Sequence, residues 1–190
     1  MKKSSYLLFT FLMATSVILY SCGEKPTEDN SEMNEMMEET PEVEERPSPL
    51  RTISGEVSGK KINMQYGAPS TKDRKVWGDL VPYNEVWRTG ANEATWVEFD
   101  TDVTLEGKPV SAGKYSLFTI PRSSGNWTVI LNSDWDLEHG HYQYKEENDV
   151  IRVESTPEWV DEHQEQLTVA VESPGIVVRW EKLRLPITVN

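Results

Sequence analysis

The sequence predicts an all-β domain over Leu50–Asn190, an antiparallel two-sheet β-sandwich of jelly-roll or immunoglobulin-like type. Three observations carry that expectation. Apolar residues recur with period two in runs of five to eight, the spacing that puts every second side chain on one face of a strand. Those runs are rich in β-branched and aromatic residues and are bounded by Gly, Pro, Asn or Ser, which punctuate strands. A 3.6-residue period is not sustained over three turns, and only the mostly polar Glu158–Gln166 comes near one. About nine strands with apolar faces bury them best against each other in two sheets, and a closed β-barrel is the alternative.

In chain order, Ile62, Met64 and Tyr66 alternate in KINMQYG, and Trp96 and Val97 lead into WVEFD. Val103 and Leu105 follow, and Glu106-Gly107-Lys108 marks a tight hairpin with Gly where positive φ is needed. Ser111-Ala112-Gly113 then reads as a short turn into a long strand, with Tyr115, Leu117 and Thr119 on one side and Phe118 and Ile120 on the other. NWTVILN (Trp127, Val129, Leu131) and DVIRVE (Val150, Ile151, Val153) continue the pattern. Alternation at Leu167–Val171, Ile176–Trp180 and Leu183–Ile187 closes the chain.

The start of the chain is of another kind. Lys2 and Lys3 precede an apolar run, Tyr6–Tyr20, of fifteen residues, a signal-peptide length that falls short of the roughly 20 residues of a spanning helix. Leu19-Tyr20-Ser21-Cys22 resembles the bacterial lipobox, and Cys22 is the chain's single cysteine. The expectation is a signal peptide over residues 1–21 and a lipid-anchored Cys22 that makes the membrane a partner. Gly23 follows the cysteine where Asp would resemble the enteric inner-membrane retention signal, which favours an outer-membrane lipoprotein of the cell envelope. Gly23–Pro49 holds ten acids against Lys25 and Arg46, a charge of −8, with four prolines and few large apolar residues. Such composition reads as an acidic disordered tether over residues 22–49. At −13 overall and without a basic patch, the chain is no nucleic-acid binder.

The segment Trp77–Thr95 stands out. Broken by Gly78, Pro82 and Gly90, it is neither one helix nor one strand, and an aromatic-rich irregular segment between strands is a natural binding loop. Arg88 offers a planar fork of donors for a carboxylate or phosphate. Asn92 donates and accepts, and Glu93 suits an acceptor or general base. Trp77, Trp87 and Tyr83 offer faces for a sugar or aromatic group. These six are the ligand-binding candidates, for a small anionic, sugar-like or peptide ligand. One competing reading is a structural loop, pinned by Arg88 on Glu93 or Asp79 with the tryptophans filling the core. The other is a hydrolase that uses Glu93 with Arg88. Neither a nucleophile–base pair nor a G-x-S-x-G elbow is visible, so catalytic residues are not assigned and a non-enzyme is the preferred reading. Asp79, Glu85 and Glu93 are the carboxylates a glycosidase would draw on, with separations the sequence does not give.

His139-Gly140-His141 is a weak metal candidate, and its histidines read better as solvated loop residues on a flexible glycine hinge; His163 reads as a surface residue. No cofactor is expected, since no phosphate-cradling glycine loop occurs.

Finally, VWG at 76–78, LVPY at 80–83, VWRTGANEAT at 86–95, AGKYSLFTIP at 112–121, WTVILN at 127–132 and RWE at 179–181 together resemble the bacterial family called domain of unknown function 2911. The resemblance spans essentially all of Leu50–Asn190. It implies the domain boundaries and a secreted or lipid-anchored setting, and it brings no activity with it.

Overall fold

A computed structural model describes residues 46–190; the expected signal peptide, Cys22 and the tether up to residue 45 lie outside the described residues. Among the described residues ten strands form, β1 (Leu50–Val57), β2 (Lys60–Gly67), β3 (Trp96–Phe99), β4 (Val103–Leu105), β5 (Lys108–Val110), β6 (Gly113–Ile120), β7 (Trp127–Asn132), β8 (Asp149–Ser155), β9 (Glu158–Glu172) and β10 (Gly175–Thr188). Two short 3₁₀ turns, Gly140–Gln143 and Glu146–Asn148, lie between β7 and β8.

The large sheet has the order β1-β2-β3-β6-β7-β8 and is antiparallel throughout. Facing it are the long β9–β10 hairpin and the small β4–β5 hairpin, joined by a bridge between Leu105 and Val189. The expected two-sheet sandwich is therefore what forms, and because the sheets stay open the barrel alternative is set aside. The period-two pattern is visible in the burial. Ile62, Met64 and Tyr66 of β2 are buried, as are Leu183, Leu185 and Ile187 of β10, while the residues between them are less so. The turn at Glu106-Gly107 is the expected two-residue hairpin, with both residues at positive φ and Leu105 opposite Lys108.

One element differs from expectation. Glu158–Gln166, the segment closest to a helical pattern, is the first half of β9 and pairs with β10 through Glu158↔Arg184 and Gln164↔Glu181. Pairing with a strongly β-patterned neighbour outweighs the weak local preference of a polar stretch.

The core contains most of the tryptophan. Trp77 touches Trp127 (5.0 Å between centroids), Trp87 (5.7 Å) and Trp180 (5.8 Å), all edge-on, and Trp87 stacks on Trp180 at 5.9 Å. Edge-to-face contact suits the ring quadrupole and adds about 1 kcal/mol per pair beyond area burial. A smaller cluster of Ala94, Phe118 and Ile130 lies beneath Val86, Leu137 and Tyr144. Loops thus cover the outer face of β6 and β7, which is why all six residues of β7 are buried.

Candidate functional site

The chain from residue 68 to 95, between β2 and β3, has no regular strand or helix and is held at three places. At its start, Leu167 N–H donates to Pro69 O (2.8 Å) and Thr71 N–H to Glu165 O (2.8 Å). The Glu165 carboxylate accepts from the Thr71 hydroxyl and from Lys72 N–H. These bonds, led by the Thr71 hydroxyl, hold the Glu165 pKa at about 2. In the middle, Trp87 exchanges both backbone hydrogen bonds with Thr119 of β6, at 2.8 and 2.9 Å. At its end, Ala91 N–H donates to Gly67 O (3.2 Å) and Ala94 N–H to Leu137 O (2.8 Å). Gly67 permits that return, since a Cβ there would lie 2.0 Å from Ala91 O.

Arg88 leaves the sheet one residue after the Thr119 bridge. Its Nη1 donates to Asn92 O at 2.8 Å and to His139 O at 3.2 Å, and its guanidinium carbon stands 5.6 Å from the centre of the Tyr142 ring. Burial pulls its pKa below the ordinary value, opposed by Tyr142 and Glu93; it keeps its charge at any physiological pH. Gly140 makes this fit. It is buried at φ +53, and a Cβ there would approach Arg88 Cδ to 2.4 Å. The expected flexible hinge is instead a close-packed 3₁₀ turn against Arg88, because the arginine stem fills the space a side chain would need.

Arg88 forms one wall of a cavity of about 550 Å³, shared with Arg74, Glu85, Trp87, His141 and Tyr142. Leu80, Val81 and Trp180 add apolar lining. The His141 ring lies tilted on Tyr142 at 4.2 Å, and its Nδ1 is buried without a hydrogen-bond partner among the described residues. Burial first, then the charge of Arg88, lowers the His141 pKa against a smaller opposing effect of Glu85, so the imidazole is neutral at pH 7.

The six candidates separate. Arg88 and Trp87 line the cavity. Trp77, 6 % exposed, is core, and Tyr83 packs over Gly78, where a Cβ would meet its ring at 2.6 Å. Asn92 is exposed, gives Arg88 its carbonyl, and reaches Ser48 O with Nδ2 at 3.5 Å. Glu93 does not share the Arg88 cavity. It pairs with Arg46 at 2.7 Å and lines a separate cleft beside Trp96, Lys114 and Trp135. Burial pushes its pKa up, but the Arg46 hydrogen bond, with backbone and cationic help, more than offsets this and leaves it low. The convergence of Arg88, Asn92 and Glu93 on one point is corrected accordingly. The pinning of the loop also differs from the competing reading, since Arg88 holds it through two backbone carbonyls.

A match to the family described as protein of unknown function (DUF2911) covers residues 48–189. The chain belongs to that family. No curated protein and no solved structure matches it.

In this DUF2911 domain the weak metal candidates do not combine. His139 is exposed and is used through its backbone, its carbonyl accepting from Arg88 and its N–H donating to Gln143 Oε1 at 2.7 Å, while His141 is on the cavity wall. No group of three His, Cys, Asp or Glu is placed to hold a metal ion among the described residues. His163 is exposed, 3.4 Å from Glu165, and Ser116 is buried with its hydroxyl on Asp134 O. Sequence reasoning missed Arg74, Tyr142 and the Lys114–Trp135 contact. Tyr142 carried a signal, an aromatic in the polar run HGHYQY, and it is 79 % exposed at the cavity mouth.

Proposed function

We propose that this DUF2911 domain is a cell-envelope binding module, anchored to the membrane through a lipidated Cys22 and taking a small anionic ligand in the Arg88 cavity. One observation carries the reading. In a chain of net charge −13, a cavity of about 550 Å³ gathers two arginines and one neutral histidine beside aromatic and aliphatic walls. That volume is in the range of small-molecule sites, where a few convergent polar groups orient a mostly apolar ligand. Arg88 is held in place by two carbonyls on Nη1. Its Nη2 and Nε have no partner among the described residues and remain for a carboxylate or phosphate, the geometry a guanidinium matches best. Trp87 and Trp180 supply the apolar wall against which the body of such a ligand packs. An acidic protein repels anions at a distance, so selectivity rests on this short-range contact. The hydrolase reading loses support because Glu93 is paired with Arg46 and lines a separate cleft.

The test is a thermal-shift screen of the purified protein against phosphate, sulfate and a set of aromatic and aliphatic carboxylates. A ligand at a hundredfold its Kd stabilises by about 2.7 kcal/mol, and that shift is expected to vanish in Arg88→Ala. Stabilisation that persists without Arg88 contradicts the proposal.

A further inference from the structure

Beyond the end of the loop, away from the Arg88 cavity, Lys114 of β6 inserts its ammonium between two indoles. Its Nζ is 3.6 Å from the Trp96 ring centre and 3.8 Å from that of Trp135. Trp96 is half-buried on β3 and fixed by its Nε1–H donating to Gln65 Oε1 at 3.1 Å. Trp135 is 38 % exposed in the loop after β7. The two rings and the lysine line a cleft of about 230 Å³ with Glu93, Asp136 and Glu138 on its walls.

A lysine ammonium is strongly hydrated and carries about 2 kcal/mol of rotamer entropy on its four-carbon stem. On an open surface it stays in water unless something draws it in. Here it has neither an ion pair nor a hydrogen bond among the described residues, and its contacts are the two indole faces. The faces of tryptophan attract cations through the ring quadrupole, and paired aromatic walls are how proteins hold alkylammonium groups. Of the three carboxylates on the walls, Glu93 is already paired with Arg46, and Asp136 and Glu138 add negative potential without an ion pair to Lys114 among the described residues.

We propose that Trp96 and Trp135 form a binding site for a small organic ammonium ligand, an amine or quaternary ammonium, with Lys114 as a resident occupant that swings out to admit it. The lysine occupies the position of the ligand's cationic head and competes with it. The site is independent of the anion cavity, because it shares none of its lining residues. Lys114 thereby sets a threshold, since a ligand must outcompete a tethered cation before it binds.

The experiment titrates choline into the purified protein at constant ionic strength set with sodium chloride. The indole N–H signals of Trp96 and Trp135 are followed by NMR, and circular dichroism checks the fold of each variant. Wild type shows weak saturable shifts of both indoles. Lys114→Ala, which empties the cleft and removes a like charge, binds choline about tenfold more tightly. Lys114→Gln, which keeps the stem, behaves in the same direction. Trp135→Ala, at an exposed position, abolishes the shift of Trp96 in either background, and Arg88→Ala leaves choline binding unchanged. In the Cys22→Ser background, which removes the acyl anchor, sedimentation with phosphatidylcholine vesicles that is lost in Trp135→Ala assigns the ammonium to a lipid headgroup, whereas solute binding without sedimentation assigns a free ligand. The proposal is overturned if neither wild type nor the two Lys114 variants gives saturable indole shifts, or if Trp135→Ala binds choline as well as wild type.

Discussion

Replacing Gly140 by alanine perturbs the Arg88 cavity at a defined place. Gly140 stands at φ +53, a left-handed conformation that costs an L-residue about 1–2 kcal/mol. The added Cβ would also lie 2.4 Å from Arg88 Cδ and 3.0 Å from Arg88 Cβ. The first contact is relieved when the guanidinium swings away, which breaks its bonds to Asn92 O and His139 O. The second is not, because Arg88 Cβ is fixed to a backbone bridged to β6 one residue earlier. The combined cost is about 2 kcal/mol, equivalent to roughly 4–8 °C in melting temperature for a domain of this size. Thermal unfolding of wild type, Gly140→Ala, Arg88→Ala and the double variant closes a mutant cycle. The strain at positive φ persists without Arg88 while the overlap with Cδ does not, so the two changes couple by at least about 0.5 kcal/mol. A Gly140→Ala protein that melts like wild type refutes the packing argument. Full additivity in the cycle refutes the part that involves Arg88.

Other expectations are smaller. Glu93→Gln removes a pair with Arg46 in which both side chains are more than a third exposed, so its stability cost stays within about 1 kcal/mol and anion binding in the Arg88 cavity is unchanged; loss of binding would restore Glu93 to the site. The pKa of His141 is lowered in the folded state, so its neutral form is the one folding favours. Its contribution to stability is complete above pH 6.5 and is lost as pH falls through the lower folded value. A bound anion has the opposite preference, so affinity rises over the same descent, and His141→Asn flattens both profiles in urea melts and titrations. Cys22→Ser is expected to move the protein from the membrane fraction to the soluble fraction on ultracentrifugation; a variant that stays with the membrane sinks the anchor.

How far the sequence led depended on where backbone regularity ended. Inside strands, the period of two assigned Ile62, Met64, Val129 and Leu185 to the interior, because a strand gives each residue one of two directions. The hairpin at Glu106-Gly107 was legible for the same local reason, a turn with a fixed need for positive φ. Between residues 68 and 95 that logic fails. Arg88, Asn92 and Glu93 lie within six residues, yet Thr89 and Asn92 are both at positive φ and turn the chain twice, so Glu93 emerges beside Trp96 and Lys114 instead of Arg88. The partners of the cavity, His141 and Tyr142, come from more than fifty residues away, and local spacing does not encode their approach. Tryptophans misled in a related way. Trp77 looked like a ligand platform because it sits in a loop, but the loop itself is folded into the core, with Trp77 against Trp127 and Trp180, whereas Trp87 keeps a place on the cavity wall.

The most direct test of the binding proposal is an NMR titration of the Arg88 Nε–H signal with the tightest carboxylate or phosphate from the thermal-shift screen. A guanidinium that takes the ligand's oxygens gives a saturable downfield movement of that signal, at the same concentration midpoint as the thermal shift, and the His141 ring signals move with it. A ligand that saturates the protein while the Arg88 and His141 signals stay still would show that binding occurs elsewhere and would contradict the account.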